Sequence, residues 1–245
     1  MDAGVAILRG MDHGHGAGVP LLVAAADSPD TRLFIELSSY GSDLTEASHA
    51  LDLAIHGQED GSALAGASPY LVGFAVVAYC RTILPSNVRR PLTEHVNVPA
   101  ELQEVHEQVR TFRNATIAHS QSELSVTYAF GVLDPARLEL SHLIGVTMTS
   151  TLPVYVMQRF RRLIDEMTEE LDAVTEPVRA RIESQMRQAD HNDLLAAPRP
   201  EMLAKFAEEF NPRSRRAPYP TGQRLYWNQP AAESASRMSD SSGSS

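Results

Sequence analysis

Residues 99–120 read PAELQEVHEQVRTFRNATIAHS, and residues 124–132 follow with LSVTYAFGV. In the first stretch Leu102, Val105, Val109, Phe112 and Thr116 fall three and four apart. That spacing turns one face of an α-helix inward, from about Ala100 to Ser120. In the second the period drops to two. Leu124, Val126, Tyr128, Phe130 and Val132 alternate with Ser125, Thr127, Ala129 and Gly131, which is a strand pattern. Asp134-Pro135 turns the chain, and Ile144, Val146 and Met148 alternate with Gly145, Thr147 and Thr149. The change of period predicts a β-hairpin, at about 123–150, interrupting a mainly α protein.

Upstream, Ser28-Pro29-Asp30 is an N-cap followed by proline at the first helical position, so a helix is expected from about Thr31 to Ala54, bent at Gly41. A second runs from about Ser68 to Leu84 and stops at Pro85-Ser86-Asn87. Residues 62–80 carry no charge, but Gly66, Pro69 and Gly73 and the lack of a dense Leu/Ile run mark a buried core helix, not a membrane span. Downstream, Met157, Phe160, Ile164, Met167, Leu171, Val174 and Val178 keep heptad spacing in a long helix from about Leu152 to Arg187, with a kink expected at Pro177. The helical domain is therefore placed at 29–189. Residues 1–28 read as a disordered leader. Residues 190–245 read as a largely disordered tail, with one short helix from Glu201 to Phe210.

The 245 residues carry a net charge of −10, which argues against strong nonspecific binding to nucleic acid. Cys80 is the single cysteine, so an internal disulfide and Cys-based zinc sites are excluded. Inside the second helix it reads as a small core residue and not as a nucleophile. The apolar run from Val19 to Ala26 follows acidic and His-Gly residues instead of a basic region, so no secretory leader is expected and the cytoplasm is the expected compartment. Phosphate-loop, dinucleotide, nucleophile-elbow and HExxH patterns are all missing, and no metal or cofactor is expected.

The chemistry-bearing segment is Arg113-Asn114-Ala115-Thr116-Ile117-Ala118-His119. On a regular helix at about 100° per residue, Arg113 lies about 70° to one side of the apolar stripe and His119 about 50° to the other. Both flank the buried face, and Asn114 points outward. Across a two-fold axis such a face would bring two Arg/His sets together. In a bland reading, His119 faces its helix dipole and Arg113 pairs with Glu104 or Glu107.

The segment resembles the HEPN superfamily (higher eukaryotes and prokaryotes nucleotide-binding), in its abortive-infection-like bacterial branch with an RNxxxAHS motif. Arg113-Asn114 and His119 match that motif. Tyr79-Cys80-Arg81-Thr82-Ile83-Leu84 looks like the branch's YxRxF-type helix end, with Leu84 where an aromatic is expected. His106, one or two turns before the motif, also fits. The resemblance covers about Thr31 to Ser120. It implies a HEPN-like helical bundle, a homodimer, and a metal-independent endoribonuclease in phage defence or a toxin–antitoxin pair. Arg113, Asn114 and His119 would be catalytic, with Arg81 and His106 in support. RNA or a nucleotide, and an antitoxin, are the implied partners. Arg81 either crosses the bundle to the site or simply ends its helix beside the last carbonyls. A noncatalytic dimeric nucleotide- or protein-binding module is the alternative, and the heptads leave room for a purely structural helical assembly.

Overall fold

The computed structural model describes residues 22–119, 121–197, 200–213 and 215–227. Most of the leader, and the end of the tail from residue 228, lie outside the described residues.

Helix α1 spans Pro29–His56 and continues through Gly41. Ser28 Oγ accepts from the Thr31 amide at 3.1 Å, satisfying one of the amides left free at a helix start. Leu37, Tyr40, Leu44, Ala47, Leu51 and Ala54 are all buried. Their three-and-four spacing is a continuous seam between α2 (Ser68–Ile83) and α4 (Val154–Gln188), the two helices that pack on α1. The heptads of α4 supply the other half: Met157, Phe160, Ile164, Met167, Leu171 and Val178 are buried within the chain. That seam is consumed by α1, so it is not a free surface for helical assembly. Helix α4 runs unbroken through Pro177, whose carbonyl accepts from Arg181 Nη1 at 3.2 Å. Arg181 also grips Asp30 at 2.7 and 2.9 Å, tying the far end of α4 to the first turn of α1.

The bundle is closed by α3 (Gln103–Phe112), which buries Val105, His106, Val109 and Phe112. The helix expected from 100 to 120 is only partly α-helical. A 3₁₀ turn at Ala100–Leu102 precedes α3, and Arg113–Ala118 is a π-helix. Among the described residues no helix is long and apolar enough to cross a membrane; α2 is 16 residues long and begins only at Ser68.

The hairpin is present as expected: β1 (Ser125–Leu133) pairs antiparallel with β2 (Leu140–Thr149). Asp134 Oδ1 accepts from the amides of Ala136 and Arg137 and shapes the turn. Opposite pairs Val126/Met148, Tyr128/Val146 and Phe130/Ile144 put the apolar side chains on one face. Tyr128 and Phe130 stack at 5.8 Å yet remain 46% and 41% exposed, because no helix of the bundle covers them.

The tail departs from expectation. Residues 191–227 hold helix α5 (His191–Ala196) and strands β3 (Glu201–Phe206) and β4 (Gly222–Trp227), paired in parallel. The short helix expected at 201–210 is thus a strand plus a 3₁₀ turn at Ala207–Glu209. Tyr219 Oη donates to the Ala25 carbonyl at 2.7 Å and fastens this segment to the start of the bundle.

Candidate functional site

The motif occupies the π-helix. Through Phe112 the α-helical phase keeps α3's apolar side chains in the core. Beyond it the hydrogen bonds widen from i,i+4 to i,i+5, so each turn holds an extra residue and the 100° step no longer applies. The angles expected for Arg113 and His119 on a regular helix are therefore superseded. The Gln121 amide, bonded at 2.7 Å to the Ala115 carbonyl, closes the widened end. π-Helical turns carry a conformational cost and are concentrated at functional sites.

Arg113 opens this segment, half-buried, with Nη1 donating to Asn114 Oδ1 at 3.0 Å. Asn114 is exposed. His119 ends the segment, also exposed, with φ −128° and ψ −3°. Among the described residues it makes no hydrogen bond or ion pair, and none joins it to Arg113. Neither Glu104 nor Glu107 takes Arg113: Glu104 pairs with Arg159 at 2.8 Å and Glu107 with Arg110 at 3.0 Å.

Arg113 lines a cleft of about 410 Å³ between the end of α2, the loop 85–89 and the tail. Arg81, Arg89 and Arg216 line the same cleft. Val77, Leu84 and Val88 are its apolar lining, and the buried Cys80 also borders it. Burial pushes the Cys80 thiol up to about 11, outweighing the nearby Arg113 and Arg110, so it stays protonated at neutral pH.

Arg81 and Arg89 are anchored differently from Arg113. Arg81 Nη2 bonds Asp43 at 2.7 Å and also reaches Glu46, both on α1. Arg81 is therefore bonded to α1, and among the described residues it makes no hydrogen bond to Arg113, Asn114 or His119. Arg89 pairs with Asp43, bonds Ser39 Oγ at 2.8 Å and the Arg81 carbonyl at 3.1 Å, and lies 4.7 Å from the centroid of the Tyr40 ring. Beside it Glu36 accepts from Tyr40 at 2.9 Å and from His95 and Arg90 at 3.3 Å. Burial alone would raise the Glu36 carboxyl, but these hydrogen bonds together hold it below its ordinary value. The loop carrying Arg89 is in this way fixed to α1.

His106 lies elsewhere. It is 5% exposed, and Tyr79 Oη sits 2.8 Å from its Nδ1 inside the core. Burial lowers the imidazole below its ordinary value; Glu107 opposes this and Arg110 adds to it. Of the five residues singled out in the sequence, Arg113 and Arg81 thus share a cleft, Asn114 holds Arg113, His119 is at the exposed far end of the π turn, and His106 is interior. Sequence reasoning missed Arg89 and Arg216. The Arg-rich run around residues 213–216 was the available signal for Arg216. Arg89 had none, because its place depends on Asp43 of another helix.

Compared with family models, curated proteins and solved structures, the chain matches none of them.

Proposed function

We propose that the protein is a HEPN-like, metal-independent endoribonuclease acting as a homodimer. The observation that carries this reading is the π-helix itself. The chain adopts this costly backbone from Arg113 to Ala118, and the segment opens on the Arg113–Asn114 hydrogen bond and ends at the exposed His119. RNA supplies its own nucleophile. An imidazole accepts the 2′-hydroxyl proton, the 2′-oxygen attacks phosphorus, and the 5′-oxygen departs with a proton returned to it. Histidine suits the proton transfers because its ordinary pKa is about 6.5. Arg113 offers a planar fork to the charge that gathers on the phosphoryl oxygens, and Asn114 fixes the orientation of that fork. Since Arg113 and His119 are not joined within one chain, a second copy is the natural source of the complementary residue.

The noncatalytic alternative, a dimeric nucleotide- or protein-binding module, draws its support from the net charge of −10 and from the engagement of Arg81 and Arg89 with carboxylates. Purified protein in EDTA decides between the two. The nuclease reading expects single-stranded RNA to be cut to 2′,3′-cyclic phosphate ends, and expects His119→Ala to lose ~10²–10⁴-fold in rate. Arg113→Lys should rescue poorly, since lysine lacks the fork. No cleavage of varied RNAs by the wild type would leave the binding module.

A further inference from the structure

We propose that the cleft between the end of α2 and the tail is a nucleotide subsite, taking one phosphorylated nucleotide unit of an RNA strand beside the motif. This rests on the ribonuclease reading and names where the strand lies. Among the described residues, two arginines lining the cleft have no carboxylate partner: Arg113 bonds the neutral Asn114 alone, and Arg216 makes no hydrogen bond or ion pair. Arg81 also lines the cleft and is 45% exposed, but its charge is engaged by Asp43 and Glu46. In a chain of net charge −10, two guanidinium groups without a carboxylate around one hollow form a local anion site that composition hides. Arg89 contributes less, since its side chain is 10% exposed and committed to Asp43.

The apolar lining decides the ligand's class. Val77, Leu84 and Val88 line the same cleft as the cations and give it an apolar surface, with Val88 43% exposed. A bare phosphate would leave that wall in contact with water. A nucleotide covers it with the base while its phosphate meets the arginines, and 410 Å³ is within the usual range of small-ligand sites. Arg113 belongs both to the motif and to the cleft, so a strand seated here leads its next phosphate onto the π turn.

The test titrates full-length protein with a short fluorescent 2′-O-methyl oligoribonucleotide, which binds but offers no attacking hydroxyl. Arg216→Gln, outside the motif and on the surface, should weaken binding about tenfold, one charge-assisted contact's worth. It should also reduce the slope of log affinity against log salt by about 0.7. Val88→Glu should weaken binding without removing any arginine. Unchanged melting curves show that both variants fold. AMP should displace the oligonucleotide at concentrations where inorganic phosphate does not. An affinity and salt slope unchanged in Arg216→Gln would overturn the subsite. Equal displacement by phosphate and AMP would overturn the role of the apolar wall. An oligonucleotide that binds no more tightly than AMP would replace the RNA strand with a free nucleotide. Arg216-dependent binding with no cleavage of unmodified RNA would keep the cleft and remove the nuclease; cleavage with Arg216-indifferent binding would do the reverse.

Discussion

Replacing Tyr79 with phenylalanine separates the two roles open to His106. The Tyr79 ring is fully buried, edge-on to Phe160 at 5.2 Å and to His106 at 6.0 Å between ring centroids. Phenylalanine keeps those contacts and removes one hydroxyl. What is lost is the 2.8 Å hydrogen bond to His106 Nδ1, leaving that nitrogen buried without a partner. An orphaned buried polar group costs about 1–3 kcal/mol. At about 2–4 °C per kcal/mol for a domain of this size, Tyr79→Phe should lower the melting temperature by roughly 2–12 °C. Adding His106→Leu removes the orphan, so the double variant should lose less than the sum of the single changes. The same pair sets a pH dependence. The folded His106 titrates below its unfolded value of about 6.5, so the unfolded chain binds the extra proton. Stability is therefore present above pH ~6.5 and lost as pH falls toward the folded value, by at most about 1.4 kcal/mol per pH unit. His106→Leu should flatten that acid limb. Circular-dichroism melts from pH 5 to 8 read all of this. A Tyr79→Phe protein that melts with the wild type, or that loses RNA cleavage at unchanged stability, would refute the structural role and return His106 to the site.

Light scattering should show a homodimer, with the motif segments near its two-fold axis; a lone 26.8 kDa species at micromolar concentration would count against it. Arg89→Ala should destabilise by about 1–3 kcal/mol, because it removes one of the two arginines on the largely buried Asp43 and leaves Arg81 as the other; urea unfolding measures it, and Arg89→Lys should recover only part. His119→Ala should leave the stability within ~0.5 kcal/mol of wild type, as a thermal melt reads it, since the side chain is exposed and, among the described residues, unbonded. Tyr219→Phe should cost about 1 kcal/mol and speed proteolysis of the tail; cleavage at the wild-type rate would show that the Ala25 contact does not hold it.

The helices and the hairpin are legible in the sequence because burial imposes a period. Three-and-four spacing in α1, α3 and α4, and strict alternation in 124–132 and 144–149, each describe a side-chain face, and a face needs no knowledge of its partner. What covers the face is another matter. The heptads of α4 are equally compatible with a second chain; only packing shows α1 in that place. Local preference even misleads in Glu201–Phe206, whose Glu, Met, Leu, Ala and Lys favour a helix but which pairs in register with Gly222–Trp227. The Arg113–His119 segment offers residue types suited to chemistry, yet its π-helical backbone leaves no compositional mark. The arginine cleft is furthest from the sequence of all. Arg81, Arg89, Arg113 and Arg216 come from a helix end, a loop, a π turn and the tail, and they border one cleft only once those four segments have folded together.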